Sequence, residues 1–122
     1  MRRRDRDRSE VHVEFEARGS TIIARLEGRL HGVAADELDT ELLRAAREAE
    51  NFILDLGKLE FISSTGLRTF LKLRRELTAK GGVVIFARAN EMVSEVFEIS
   101  SFEHLFPTFS TMPEAYKYLG ME

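Results

Sequence analysis

The 122-residue chain has no cysteine, no tryptophan and only two prolines. Without cysteine it can form neither a disulfide nor a thiolate metal site, and such a composition fits a reducing compartment, so we expect a cytoplasmic protein. No apolar run approaches the roughly 20 residues that span a bilayer, so we expect no integral membrane segment. The net charge of -3 gives no basic field that would attract nucleic acid.

The first ten residues, MRRRDRDRSE, interleave arginine with aspartate and lack the apolar core of a secretory signal. We interpret residues 1–10 as a flexible Arg-rich tail, with a contact to anionic lipid or to an acidic partner as the alternative. The chain as a whole is 43% hydrophobic and 32% charged, which supplies one globular core. Residues 11–122 are therefore predicted to form a single domain.

Two hydrophobic periods alternate along this domain. A period of two, or a short continuous apolar run bounded by turn residues, predicts strands. A period near 3.6 predicts helices, the third with Met92, Val93, Val96 and Phe97 on its core face. Predicted strands are residues 11–16, Thr21–Leu26 ending near Gly28, a run at Phe52–Leu54, Val83–Ala87 and a short Leu105–Phe109. Predicted helices are Ala34–Glu48, Ser64–Ala79 before Lys80-Gly81-Gly82, one capped by Asn90, and one opened by Met112-Pro113-Glu114.

Strands separated by helices favour crossover connections, so this order predicts an α/β fold with a mixed, mostly parallel sheet. The first two strands are close in sequence and are expected to form an antiparallel hairpin. We expect four to five strands and about four helices.

The stretch LEFISSTGLR places three hydroxyl residues, Ser63, Ser64 and Thr65, where a strand gives way to a helix. A helix start needs a side chain that accepts from its unpaired N–H groups, but one hydroxyl meets that need. The other two are either small polar residues that fill the turn or residues with a chemical role, as a nucleophile or as a site of modification. A nucleophilic serine is not favoured, since Ile62 stands where the G-x-S-x-G elbow requires glycine before Ser64.

Other catalytic and cofactor motifs are missing too. The sequence has no G-x-x-x-x-G-K-[ST] loop and no H-E-x-x-H, and no spacing of histidines and carboxylates forms a metal site. We therefore expect no cofactor, no metal and no catalytic residue, so the chain is not predicted to be an enzyme. A serine at a helix start is, in contrast, well placed to be phosphorylated, because the helix dipole tolerates the added charge.

The hydroxyl motif resembles that of STAS domains of bacterial anti-sigma factor antagonists. The family pattern is a buried strand followed by D-S-[ST]-G-L, and FILDLGKLEFISSTGLR and the later KGG are similar to it. RLEGRLHGVAADEL and VVIFARANEMVSEVFEISSFEHLFPTFSTMPEAYKYL extend the resemblance over nearly all of the chain after residue 10.

The resemblance implies a phosphorylation-switched binding module. Its partners would be an anti-sigma factor serine kinase, which it sequesters while unphosphorylated, and a serine phosphatase that resets it. The acceptor serine maps onto Ser64, with Thr65 and Ser63 as alternative acceptors. The partner-binding residues are expected to be His31, Ser63, Ser64, Thr65, Gly66 and Arg68, of which Arg68 could equally be a solvated surface arginine.

The sequence departs from the family pattern at two acidic positions. Ser63 replaces the motif aspartate, and His31 ends a segment, Gly28-Arg29-Leu30-His31, that reads G-E-L-D in the family. Both changes remove negative charge from the expected docking face, which suggests a partner with different charges or weaker phosphorylation. The alternative is a non-switching STAS subunit of a stress-sensing assembly or of a membrane-transporter complex, and a small hydrolase is a further one. Arg74, inside the apolar arc of the second helix, is expected either to lay its stem on the core or to contact a partner.

Overall fold

The computed structural model describes residues 11–121, so the predicted tail at residues 1–10 lies outside the described part. Five strands and four α-helices alternate as the sequence predicts. The strands are β1 (Val11–Arg18), β2 (Thr21–Leu30), β3 (Asn51–Ile62), β4 (Val83–Ala87) and β5 (Thr108–Phe109). The helices are α1 (Gly32–Ala46), α2 (Ser64–Ala79), α3 (Glu91–Ile99) and α4 (Met112–Tyr118).

The strands form one sheet in the order β1-β2-β3-β4-β5. β1 pairs antiparallel with β2, and the remaining neighbours pair in parallel. This confirms the predicted α/β architecture and its single antiparallel hairpin. Because each parallel pair is joined through a helix, the carboxyl ends of β2 and β3 lie side by side and each leads directly into a helix start.

The two faces of the sheet are covered unequally. Side chains from α1, α2 and α3 pack on one face in the larger of two buried clusters, which contains stacked phenylalanines, such as Phe86 with Phe97 and Phe86 with Phe106. The short α4 covers part of the other face, where Ala115 packs against Ile23, Ile53 and Ile85 in a smaller cluster. Among residues 11–121, no helix is both long and apolar enough to cross a membrane.

β3 extends much further than the predicted run at Phe52–Leu54. Its register with β2 shifts twice, between Arg25 and Glu27 and again between Gly28 and Arg29. Such bulges interrupt the period of two, and they hide the continuation of β3 from a reading of the sequence. The extension carries the strand to Ile62, immediately before the three hydroxyls.

Several other boundaries also differ from the sequence prediction. β2 passes through Gly28 to end at Leu30, and α1 starts and ends two residues earlier than expected. The predicted strand Leu105–Phe109 shrinks to its last two residues. The N–H groups of Leu105 and Phe106 donate to the Phe102 carbonyl, so these two residues continue the 3-10 turn Phe102–His104 and do not join the sheet.

One core assignment is wrong. Met92 is 53% exposed in the first turn of α3, whereas Phe97 and Val93 on the same helix are buried. The i, i+4 pair defines the face that meets the core, and Met92 falls beside that face. Of the C-terminal phenylalanines, Phe102 and Phe106 are buried and Phe109 is half-buried.

Candidate functional site

The start of α2 is capped by the first of the three hydroxyls. Ser63 has extended backbone, and its Oγ accepts a hydrogen bond from the Gly66 N–H at 3.3 Å. The same hydroxyl donates to the Leu30 carbonyl at 3.4 Å, and the Ser63 N–H donates to that carbonyl at 3.0 Å. Ser63 therefore caps α2 and also connects it to the end of β2, which a carboxylate could not do by donation.

Ser64, the second hydroxyl, is the first residue of α2 and is exposed to solvent. Within residues 11–121 its side chain makes no hydrogen bond. The first turn of α2 contains no acidic residue. The positive end of the helix dipole is therefore uncompensated next to an accessible hydroxyl, which favours a negative group there.

Thr65, the third hydroxyl, is half-buried and differs from Ser64 in its surroundings. Its carbonyl accepts from the Thr69 Oγ1 at 3.4 Å, one turn further along α2. The buried Thr69 hydroxyl also lies 3.3 Å from the Ala35 carbonyl, where it can donate to α1. Thr69 thus ties the start of α2 to α1.

Gly66 is buried beneath the helix start. A Cβ at this position would lie 2.8 Å from Ile62 Cγ1 and 2.9 Å from both Cγ and O of Leu30. Real side chains essentially never approach so closely, so only glycine lets α2 sit this near to the ends of β2 and β3. Its place in the motif follows from packing.

His31 lies at the adjoining helix start, where it is the N-cap residue of α1 without a side-chain capping bond. Its ring meets Phe61 edge to face at 5.8 Å, and the Arg29 guanidinium lies 4.5 Å from the centre of the same phenyl ring. Within the described part of the chain, His31 Nε2 is buried and has no hydrogen-bond partner.

Parallel pairing explains why these two helix starts lie side by side. Leu30 pairs with Ile62, so the residues that follow each of them leave the sheet at the same edge. The structure thus brings His31 and Ser63 to one edge of the sheet, with Ser64, Thr65 and Gly66 in the first turn above it. Arg68 is exposed one turn further along α2.

Arg74 is not part of this site. Its Nε donates to the Leu105 carbonyl at 2.9 Å, and its guanidinium lies 6.0 Å from the centre of the Phe106 ring. It therefore fastens the C-terminal segment to α2, a role that neither of the two sequence interpretations included. Among residues 11–121, no group of three histidine, aspartate or glutamate side chains is placed to hold a metal ion.

The sequence model of the STAS domain matches residues 12–115, which is most of the chain. The chain belongs to the STAS domain family. A Bordetella bronchiseptica protein named "Putative anti-sigma factor antagonist BtrV" is 36% identical over 95 residues, covering 77% of this chain and 82% of that protein.

Solved structures share the fold at lower identity. The anti-sigma factor antagonist SpoIIAA in its unphosphorylated form aligns with a TM-score of 0.78 at 24% identity, covering 91% of this chain and 99% of that one. The Bacillus cell fate determinant SpoIIAA in the phosphorylated form aligns with a TM-score of 0.70 at 23% identity, covering 88% and 99% respectively. These similarities confirm a single STAS-type α/β domain.

Two features of this STAS domain were not found from its sequence. The Leu30 carbonyl that receives Ser63 is a backbone group, and no side-chain pattern identifies it. The ion pairs of the buried Asp55 with Arg88 and Arg25 were missed because they join three different strands or strand ends. Only the isolated acidic residue at the end of the apolar run Phe52–Leu54 hints at them.

Proposed function

We propose that this STAS domain is an anti-sigma factor antagonist, a binding module switched by phosphorylation of Ser64. In this proposal the unphosphorylated domain sequesters an anti-sigma factor serine kinase, the kinase phosphorylates Ser64 and the complex dissociates. A serine phosphatase then restores the unmodified form. The names of the related proteins support the antagonist role, and the exposed Ser64 hydroxyl at the start of α2 is the observation that carries the switch.

The three hydroxyls differ in exposure and in hydrogen bonding, and this difference supports Ser64 as the acceptor. Ser63 is engaged with Gly66 and Leu30, so its phosphorylation would remove the helix cap. Thr65 is half-buried. Ser64 alone combines exposure with a hydroxyl that no structural hydrogen bond requires, so its modification leaves the packing of α2 unchanged.

The local electrostatics support tolerance of the phosphate in the free domain. A phosphoserine adds about -1.5 to -2 charges at neutral pH. At the first position of α2 that charge meets the positive end of the helix dipole and no acidic neighbour in the first turn. The fold relative SpoIIAA has been solved in a phosphorylated form, which agrees with a fold that accepts the modification.

The same charge is expected to disrupt a complex that covers this helix start. The docking surface that we propose consists of the exposed Ser64 and Arg68 together with the half-buried His31 and Thr65. Val33, 71% exposed in the first turn of α1, adds an apolar contact next to it. Ser63 and Gly66 contribute indirectly: Ser63 caps α2, and Gly66 allows the helix start to pack closely on the ends of β2 and β3.

The replacement of the family aspartate by Ser63 is expected to shape partner choice. The serine donates to Leu30 where a carboxylate could only accept, and it leaves the helix start without a fixed negative charge. The docking face is consequently less acidic than the family pattern. We propose that the cognate kinase therefore presents a less basic surface at this point than kinases that face the aspartate.

The test is direct phosphorylation by serine kinases encoded in the same genome, with the labelled site mapped by mass spectrometry. We expect one phosphate on Ser64, none after Ser64→Ala, and unchanged labelling after Ser94→Ala, which alters an exposed serine of α3. Labelling that persists in the Ser64→Ala variant would move the acceptor elsewhere. If a kinase binds the domain stably but never labels it, the non-switching STAS subunit becomes the better description.

A further inference from the structure

A second site lies on the opposite face of the sheet, beyond the part that α4 covers. A cavity of about 290 Å³ opens there. Alternation along the strands places Arg25 and Asp55 on the same face as Ile23 and Ile53, away from α1, α2 and α3. Neither Ser64 nor its proposed docking surface contributes to it.

The floor of the cavity is a buried carboxylate held by two arginines. Asp55 is 3% exposed, and its Oδ1 lies 2.8 Å from Arg88 Nε, while its Oδ2 lies 3.6 Å from Arg25 Nε. The Gly57 N–H also donates to Oδ1 at 3.1 Å. Arg25 also forms an ion pair with Glu16 at 2.9 Å. The pKa of the Glu16 carboxyl is lowered mainly by its hydrogen bond from Arg18 and next by the one from Arg25.

The backbone around this floor is locally distorted. Arg88 has a φ of 63°, which side-chain-bearing residues rarely adopt. Its guanidinium lies so close to Gly57 that any Cβ there would collide with it. Gly57 also falls at the register shift between β2 and β3. A bulge, a strained non-glycine residue and a buried charge in one place are the features that proteins maintain at binding sites.

The rim of the cavity carries charges of both signs that the domain does not use. Lys58 contributes an ammonium group, and Glu14 and Glu27 contribute carboxylates. Within residues 11–121 none of the three forms a hydrogen bond or an ion pair. The charged side chains of the lining are thus three cations and three carboxylates, so no single sign of charge dominates. His12 and Leu26 complete the lining.

We propose that this cavity binds a small zwitterion of the α-amino acid class. The carboxylate of the ligand would meet Lys58 and the outward N–H groups of Arg88, and its ammonium group would meet Glu14 and Glu27. The volume of about 290 Å³ lies just below the roughly 300–1,000 Å³ of typical ligand pockets, which suits a metabolite of few heavy atoms. This inference is independent of the switch at Ser64.

The test is a titration of the ¹⁵N-labelled full chain with each of the twenty common L-amino acids, followed by NMR. At least one amino acid is expected to shift the amides of Gly57, Lys58 and Arg88 with a dissociation constant of about a millimolar or below. Acetate and methylammonium, each carrying half of the zwitterion, are the matched probes and are expected to bind at least about tenfold more weakly.

Two exposed rim residues provide variants that leave the floor intact. Lys58→Gln and Glu27→Gln are each expected to weaken binding about fivefold to tenfold, since each removes one charge-assisted hydrogen bond. Lys117→Gln, which removes an exposed cation on α4, is expected to have no effect. The proposal is overturned if no amino acid shifts these amides, if acetate alone binds as well, or if the two rim variants bind like the unmodified chain.

Discussion

Two helices of this domain, α2 and α4, are both capped by a hydroxyl side chain, but only one of them has an acidic residue in its first turn. α2 begins after Ser63 and α4 after Thr111, and in both the cap hydroxyl accepts from a backbone N–H three residues later. At α4 the Glu114 carboxylate reaches back to the N–H groups of Ser110 and Thr111, completing a capping box. At α2 no acidic residue occupies the first turn.

The difference shows why a serine at a helix start is not by itself evidence of a switch. At α4 the Glu114 carboxylate already accepts from the free backbone N–H groups and compensates the helix dipole, so a further negative charge there gains little. α2 has its cap but lacks the anion, and it presents Ser64 where an anion would be favourable. In our proposal, the helix that lacks a carboxylate in its first turn is therefore the one whose charge is changed by phosphorylation.

The largest effect is expected from Gly66→Ala, a change that has no counterpart at α4. Alanine favours a helix by up to about 1 kcal/mol over glycine. The new methyl group would nevertheless press on Leu30 and Ile62 at 2.8 to 2.9 Å, so we expect a net loss of about 1–3 kcal/mol in the free energy of unfolding. Urea denaturation measures it, and Ser64→Ala, an exposed neighbour without structural bonds, should stay within about 0.5 kcal/mol of the unmodified chain. Equal stability of the glycine and alanine forms would show that α2 does not need this close approach.

The two caps are the next comparison, through Ser63→Ala and Thr111→Ala. Each removes an acceptor worth about 1 kcal/mol at a helix start. Ser63 additionally donates to the Leu30 carbonyl, so its variant should lose about 1–2 kcal/mol and should be the less stable of the two. A larger loss for Thr111→Ala, measured in parallel urea titrations, would mean that the bond to β2 adds nothing.

The smallest effects are expected to have opposite signs at the two helices. Ser64→Asp supplies α2 with the missing anion and should stabilise the fold by about 0.3–1 kcal/mol, whereas Glu114→Gln takes the anion from α4 and should destabilise it by a similar amount. Both differences should shrink in added salt, because exposed charges are screened. Destabilisation by Ser64→Asp would show that α2 does not tolerate negative charge.

The sequence predicted the architecture of this domain well because its helices and strands have clear hydrophobic periods. The element boundaries were predicted wrongly where the hydrophobic period breaks, at the bulged second half of β3 and in the 3-10 turn before β5. Exposure of Ser64 agrees with the sequence interpretation. Which hydroxyl acts as the cap could not be derived, because the choice depends on the Leu30 carbonyl, a partner that is 33 residues away in the chain.

The paired ions on the second face could not be predicted either. Asp55 lies between apolar residues of β3, and its two arginines come from β2 and from the residue after β4. Only the register of three neighbouring strands brings them together. Sequence patterns report which residues face the core, but they carry little information about pairs formed across a sheet.

The central claim is that a phosphate on Ser64 leaves the fold intact and abolishes the complex. It is tested most directly by installing phosphoserine at position 64 and measuring, on the same sample, the melting temperature and the affinity for the kinase that labels this residue. We predict that the phosphate does not lower the melting temperature and raises it by up to about 5 °C, in line with the stabilisation expected for Ser64→Asp. We also predict a dissociation constant raised by at least about a hundredfold. A large drop in melting temperature, or an affinity that does not change, would contradict the account.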